Sequence, residues 1–296
     1  MSKMYIMKGL PASGKSTKAK EICERDGNTV RINKDLLRTM LHFDKFNHIK
    51  ESHTRDAARK LADWYLANGV NVIIDDTNLN EGTVQSWKDL AKIHNAHIEY
   101  VDLTDVTVSE CLYRDQFREK KVGNHVIQKM AMQQLGWLKG KNVVICDLDG
   151  TICDITHRLH YGKGETKNWD LFFAGIKDDT PRREVLDMVS RTCVENDAHL
   201  IFVSARPETY RKESQDWIAH NTFPLDYVYL TEHNGWMLIM RDAHDKRPDT
   251  EVKSDIYEKY LKHLNIVKVF DDRPSVIRMW REKGLEVEDV GQGIEF

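Results

Sequence analysis

The chain has 296 residues, 41% of them hydrophobic and 31% charged, with a formal net charge of −3. That balance is the one expected of a soluble globular protein, and it excludes a polycation that holds nucleic acid by bulk charge, so any such binding must use local basic patches. No apolar run approaches bilayer-spanning length, so no membrane partner is expected. Five cysteines, with no C-x-x-C pair among them, argue against a disulfide framework and against a structural zinc site. The length exceeds what one core usually organises, so two domains are expected.

An apolar run, Met4 to Met7, breaks into Gly9-Leu-Pro-Ala-Ser-Gly14-Lys15-Ser16-Thr17. Gly9, Gly14, Lys15 and Ser16 fit G-x-x-x-x-G-K-[ST], and the motif lies between a strand and a helix running from Ser16 to Asp26. In such a motif the loop amides and the helix N-terminus point at a polyphosphate, the lysine reaches its outer oxygens and the hydroxyl holds Mg²⁺. ATP or GTP is the expected ligand, with Gly9 to Thr17 as its cradle. The N-terminus enters this strand almost at once, so no leader is expected and the chain reads as cytoplasmic.

Thr29 to Asn33 is a second strand, and Asp35 sits just past its carboxyl end, the rim where an open parallel sheet binds ligands. There it is placed either to take the proton of an attacking hydroxyl or merely to cap the helix from Leu36 to Leu41. From Glu51 to Asn68, Ala57, Leu61, Trp64 and Tyr65 recur at helical spacing, and the aromatics read as core. Val70 to Ile74 is a buried strand that runs into Asp75, Asp76, Thr77 and Asn78. The last three are candidate contacts for substrate or for the water around a metal, with turn chemistry ahead of the helix Glu81 to His94 as the alternative. A strand from His97 to Leu103 follows, and from about Thr107 the chain reads as helical. Arg114 and Arg118, one turn apart there, form either a lid over phosphates or a solvated basic face.

G-L-P-A-S-G-K-S-T, R-I-N-K-D-L-L-R, I-I-D-D-T-N-L-N and R-D-Q-F-R-E-K-K-V-G together resemble the 5′-kinase domain of the bacteriophage-type polynucleotide kinase/3′-phosphatases. The resemblance implies that Asp35 is the general base, that Arg38 contacts the acceptor strand's phosphate, that Arg118 clamps the donor phosphates, and that Asp76 and Thr77 help hold the 5′ end.

Val126 to Leu138 is a helical pattern, after which Gly136, Gly140 and two lysines loosen the chain. The boundary is placed near residue 140, giving domains 1–140 and 141–296. No second phosphate loop follows, so the second domain is not a repeat of the first.

Asn142 to Asp149 reads as a buried strand carrying two alternate aspartates, Asp147 and Asp149, into a Gly150-Thr151 turn. Side chains two apart on a strand point the same way, so both carboxylates can face one site. One can attack phosphorus or bind Mg²⁺, and the other can protonate the leaving oxygen and later deprotonate water. A calcium loop would need further ligands and a closing glutamate that the sequence lacks. His199 to Arg206 is a strand ending in Ser204 and Arg206, suited to phosphoryl oxygens. Lys253, on a helical stretch, can neutralise a phosphoaspartate, and Ile266 to Phe270 delivers Asp271 and Asp272, which can complete a Mg²⁺ shell with Asp147. In this order the elements look like a haloacid-dehalogenase-type phosphotransferase site.

D-L-D-G-T, V-S-A-R, R-D-A-H-D-K-R-P-D-T-E-V-K and F-D-D-R resemble the 3′-phosphatase domain of the same family. This implies Asp147 as nucleophile, Asp149 as acid/base near the metal, and Ser204, Arg206, Arg241 and Lys253 as phosphate or phosphoenzyme contacts, with Asp271 and Asp272 around Mg²⁺. Between Cys153 and Pro181 the sequence departs from the family and should form a small cap. His157 and His160 lack a third ligand and read as hydrogen-bonding residues. Trp169, Phe172 and Phe173 either stack a base or form the cap's own core. Arg158, Arg182 and Arg183 are backbone-contact candidates, with solvated charge as the alternative.

The expected fold is α/β in two domains, a P-loop kinase with a parallel sheet followed by a haloacid-dehalogenase-like phosphatase with a small cap. The expected function is ATP-dependent phosphorylation of 5′-hydroxyl ends of RNA or DNA and Mg²⁺-dependent removal of 3′-phosphates. Expected partners are RNA or DNA ends and a ligase that uses both products, with a second copy of the chain as an open option. A small-molecule kinase fused to a metabolite phosphatase is the alternative, because a fold does not fix a substrate. A non-catalytic binding module is disfavoured by the presence of Lys15, Asp35, Asp147 and Asp149.

Overall fold

Lys3–Lys8 (β1) has its central residues fully enclosed, and its alternation sends Met4 and Ile6 into one apolar layer and Tyr5 and Met7 into the other. Both faces of the strand are therefore covered, as expected of a central strand in a doubly covered parallel sheet. The computed structural model describes residues 2–45, 47–163, 166–222, 236–293 and 295, in two compact units, Met1–Trp137 and Leu138–Phe296. No helix among the described residues is long and apolar enough to cross a membrane.

In the first unit Lys15–Arg25 (α1), Thr29–Ile32 (β2), Lys34–His42 (α2), His48–Ala67 (α3), Asn71–Ile74 (β3), Glu81–Ile93 (α4) and His97–Asp102 (β4) follow β1. The strands form a parallel sheet in the order β2-β3-β1-β4. The loop after β1 lies where the strand order reverses, the point at which such sheets bind ligands. Val108–Asp115 (α5) and Asn124–Met130 (α6) complete the unit.

Two expectations are corrected here. Helix α3 turns Thr54, Ala58, Ala62 and Leu66 inward, and Trp64 is 60% exposed. Small residues let the helix lie close on the sheet, so the inward face is not the one carrying the bulkiest side chains. Helix α5 stops at Asp115, because the buried Asp115 carboxylate accepts hydrogen bonds from the Val122 and Gly123 amides at 3.0 and 2.8 Å. The chain between is drawn into a loop, and Arg118 lies on that loop and not on a continuing helix.

The second unit is built on Asn142–Cys146 (β5), followed by a hairpin of Cys153–Asp154 (β6) and Thr180–Pro181 (β7), with Trp169–Ala174 (α7) in the cap segment between them. Residues 164 and 165 of that segment lie outside the described residues. Arg183–Glu195 (α8), Ala198–Pro207 (β8), Arg211–Thr222 (α9), Met237–Arg241 (β9), Asp249–Ile256 (α10), Asn265–Asp271 (β10), Pro274–Glu282 (α11) and Val287–Asp289 (β11) follow. The parallel sheet has the order β11-β10-β5-β8-β9. Its core joins Val144 and Cys146 of β5 to Leu200 and Phe202 of β8 and to Phe172 and Ile176 of the cap. Each such fully buried side chain contributes roughly 1.5–3 kcal/mol. Strand β5 ends at Cys146, so Asp147 and Asp149 stand on the loop beyond it and not on the strand itself.

Candidate active sites

The loop after β1 depends on two glycines. Gly9 has φ 148°, and a Cβ there would stand 2.6 Å from Ser13 Oγ, while Gly14 has φ 97°. The loop borders a cavity of about 850 Å³ whose lining includes Lys15, Ser16, Thr17, Asp35, Arg38 and Arg118. Asp76 and Thr77 also face it. Lys15 is buried and donates from Nζ to the Leu10 carbonyl at 2.6 Å, and burial lowers its pKa to about 8.

Asp35 is not the cap of α2. Asn33 is, accepting from the Leu36 amide at 2.9 Å. The Asp35 side chain is 78% exposed and meets Arg38 at 2.6 Å, and Arg38 is braced from behind by Glu51 at 2.9 and 3.0 Å. Arg118 Nη1 lies 3.2 Å from Asp115, and Arg114 donates to the Ser13 carbonyl at 3.3 Å. Asp76 is pushed up to about 6, first by burial, and the Lys34 amide donates to it at 3.2 Å.

Asn78, expected at the substrate, faces inward. Its amide donates to the carbonyls of Met7, Ile74 and Asp76 at 2.7, 3.1 and 3.2 Å, tying β1 to the end of β3, and it does not line the cavity. Asp75, which the sequence reading left without a role, does line it. One Asp75 oxygen pairs with Arg31 at 2.5 Å, and the other is buried with no partner among the described residues. A buried carboxylate oxygen without a partner, in the cavity that Ser16 also lines, fits a hard cation.

The second cavity, about 780 Å³, lies beyond the strand ends of the second unit and brings together Asp147, Asp149, Ser204, Arg206, Arg241 and Lys253. Lys253, one turn into α10 and almost fully buried, places Nζ 3.0 Å from Asp147 and 2.8 Å from Asp271. Burial outweighs that ammonium at Asp147, whose carboxyl is held well above the usual range, and Asp272 is pushed up to about 6, first by burial and then by Asp271. Ligand oxygens of Asp147, Asp271 and Asp272 all lie within 4.8 Å of one another. Thr151 donates to Asp272 at 3.0 Å and Trp280 Nε1 to Asp271 at 3.2 Å. Gly150, at φ 81°, leaves room for Asp272, whose carboxylate would otherwise be 2.1 Å from a Cβ. Three buried carboxylates with one ammonium between them fit a divalent cation, whose charge would relieve their mutual repulsion.

Asp149 is outside that set, a correction to its expected place among the metal ligands. Its carboxylate meets Arg158 at 2.5 Å and Arg206 at 2.5 and 3.0 Å, and although burial acts the other way, the two guanidiniums hold it well below the usual carboxylate range. Arg206 is likewise turned to Asp149 and Asp179, and Ser204 Oγ accepts from the Arg206 amide at 3.2 Å. Arg158 is not a solvated charge. It is buried between Asp149 and Asp179, which it meets at 2.6 Å, and its guanidinium lies over the Phe172 ring. Asp179 carried no motif, and nothing in its sequence neighbourhood marks it. Arg241 is held by the Ala205 and Arg247 carbonyls and by Asp249, which also meets Arg273 at 2.6 Å. Arg182 reaches the Gly150 and Val290 carbonyls, Arg183 the Asn221 carbonyl, and His157 the Gly175 carbonyl at 3.3 Å.

Residues 141–295 match the polynucleotide kinase PNKP phosphatase domain, and residues 4–140 match the AAA domain. The chain is 27% identical over 305 residues to a protein of Autographa californica nuclear polyhedrosis virus described as a bifunctional polynucleotide kinase/RNA ligase. That match takes in 94% of this chain and 41% of the viral protein, so the chain spans less than half the length of this relative. Among solved structures, a chain of a Pnkp1/Rnl/Hen1 RNA repair complex is 25% identical, with a TM-score of 0.42, over 99% of this chain and 97% of its own length.

Proposed function

Because the chain belongs to the polynucleotide kinase PNKP phosphatase domain family, we propose that it heals nucleic-acid ends, phosphorylating 5′-hydroxyls with ATP and removing 3′-phosphates. The observation that carries this reading is the buried set of Asp147, Lys253, Asp271 and Asp272 with Asp149 beside it, in a chain that also holds a formed phosphate loop.

In the first unit Gly9 to Thr17 cradle the ATP phosphates and Lys15 turns from the Leu10 carbonyl to the outer oxygens. Asp35 accepts the proton of the 5′-hydroxyl as its oxygen bonds to the γ-phosphorus and the bond from that phosphorus to the β-phosphate oxygen breaks, releasing ADP. Arg38 spans Asp35 and the acceptor phosphate, Asp76 and Thr77 border the acceptor, and Arg118 covers the transferring group. Ser16 and Asp75 would hold Mg²⁺.

In the second unit Asp147 attacks the 3′-phosphate, breaking the bond to the ribose oxygen and forming an aspartyl phosphate. Asp149 gives a proton to the leaving oxygen and takes one from the water that releases inorganic phosphate, which requires it to leave the guanidiniums that keep it ionised. Lys253, Ser204 and Arg241 border the phosphoryl oxygens, and Arg158 and Arg206 position Asp149. Asp147, Asp271 and Asp272 would hold Mg²⁺, which supplies charge neutralisation when bound. The products, a 5′-phosphate and a 3′-hydroxyl, are the ends a ligase joins, and a ligase is the proposed partner. No disulfide joins any of the five cysteines, as expected in a reducing compartment, and we place the enzyme in the cytoplasm.

The test uses 5′-hydroxyl and 3′-phosphate oligonucleotides, as RNA and as DNA, with labelled ATP and Mg²⁺. Label on 5′ ends and release of inorganic phosphate from 3′ ends are expected. Turnover confined to small alcohols and small phosphate esters would replace this reading with a metabolite kinase and phosphatase.

A further inference from the structure

We propose that Trp169 stacks the terminal nucleobase of the strand whose 3′-phosphate the second site removes, and so sets that site's preference for a nucleotide end; the proposal rests on the end-healing reading above. Three aromatics lie on α7, and they are not equivalent. Phe172 is enclosed by the core and carries the Arg158 guanidinium 4.4 Å from its ring centre. Phe173 packs on Tyr210 with ring centres 5.0 Å apart. Trp169 lies nearly parallel to Phe173, at 23° and 6.0 Å, and remains 44% exposed. Closing the cap's core accounts for Phe172 but not for a half-exposed indole beside it.

Trp169 and Phe173 line the same cavity as Asp147 and Asp149. Two near-parallel rings at the rim of a phosphate site match what a terminal nucleotide presents, a π-face joined through the sugar to the phosphate. The Lys167 ammonium lies over the Trp169 ring, 5.3 Å from its centre, and swings off that face as a base stacks, while Lys246 and Arg247 line the same cavity. These cations suit the phosphodiester that links the last base to the next. Base stacking on an aromatic tolerates any of the bases, because each has a π-face.

The experiment compares the full chain with Trp169→Ala and Trp169→Phe on three substrates: a 3′-phosphorylated oligonucleotide, the same oligonucleotide with an abasic 3′-terminal sugar, and p-nitrophenyl phosphate. For Trp169→Ala, kcat/KM on the base-bearing end is expected to fall roughly five- to a hundredfold, mainly through KM, the range that losing one stacked base implies. Trp169→Phe should keep most of the activity. The unsubstituted protein should lose a similar factor on the abasic end, and Trp169→Ala should be insensitive to the missing base. Equal loss on all three substrates would assign Trp169 to the core and overturn the proposal. If Trp169→Ala does not fold, the abasic comparison in the unsubstituted protein decides alone: equal rates on the base-bearing and abasic ends sink the stacking and leave end healing standing. Turnover of p-nitrophenyl phosphate with no oligonucleotide turnover would remove both.

Discussion

The proposed base of the first cavity and the buried carboxylates of the second sit in opposite surroundings. In the first, the proposed base Asp35 stands mostly in solvent against Arg38, and the fixed parts are backbone amides around glycines that no other residue could replace. In the second, Asp147, Asp271 and Lys253 are withdrawn from water and held by one another. An exposed pair contributes little to stability, whereas removing one member of a buried group leaves an uncompensated charge in a poor solvent. Substitution of Asp35 should therefore alter turnover with little effect on folding, and substitution within the buried set of the second cavity should do both.

The sharpest test of this contrast is chemical. Asp147→Asn should lower 3′-phosphatase kcat by on the order of 10⁴, since the proposed nucleophile is gone, while 5′-kinase turnover in the same preparation is kept. Asp35→Ala should do the reverse, costing the kinase about 10²–10⁴ in kcat, with a thermal unfolding curve matching that of the unsubstituted chain. Joint loss of both activities in a folded variant would argue against two independent sites.

Stability comes next. Lys253→Met should lower the urea stability of the second unit by roughly 3–5 kcal/mol. Asp35→Ala, at a side chain 78% exposed, should cost the first unit less than about 1 kcal/mol. Equal losses would erase the distinction between the two cavities.

The smallest effect is a pH dependence. Burial lowers Lys15 to about 8, so its ammonium is present below that pH and is lost above it. ATP favours the charged form, so Kd for ATP should weaken as pH rises past 8, by up to about tenfold per pH unit. Calorimetric titration between pH 7 and 9 measures it, and a flat profile would show that Lys15 keeps its proton without ligand.

The same contrast explains what could be read in advance. Gly9, Lys15, Asp35, Asp147 and Asp271 were legible because short local motifs put them at strand ends, and the parallel sheets carry those ends to one rim. Arg158 and Asp179 were not, because their burial and pairing are set by the folding of the cap, and a solvated arginine looks the same in sequence. Asn78 reads as a substrate contact because it stands at a polar strand tip, and such a tip can also face inward to join two strands. Trp64 reads as core by its bulk, whereas the small residues of α3 form its inward face. Trp169 and Phe172 recur at one helical spacing, and only the structure separates the enclosed ring from the open one.

Cys146 and Cys153 bracket the loop of Asp147 and are fully enclosed, and burial pushes both thiols well above their ordinary range. Cys111 and Cys193 are buried as well, leaving Cys23 on α1 as the cysteine with partial access to solvent. A thiol-directed dye should thus attach to the folded protein at one position, on α1 of the first unit. That single handle would let ATP binding be followed optically without engineering the chain.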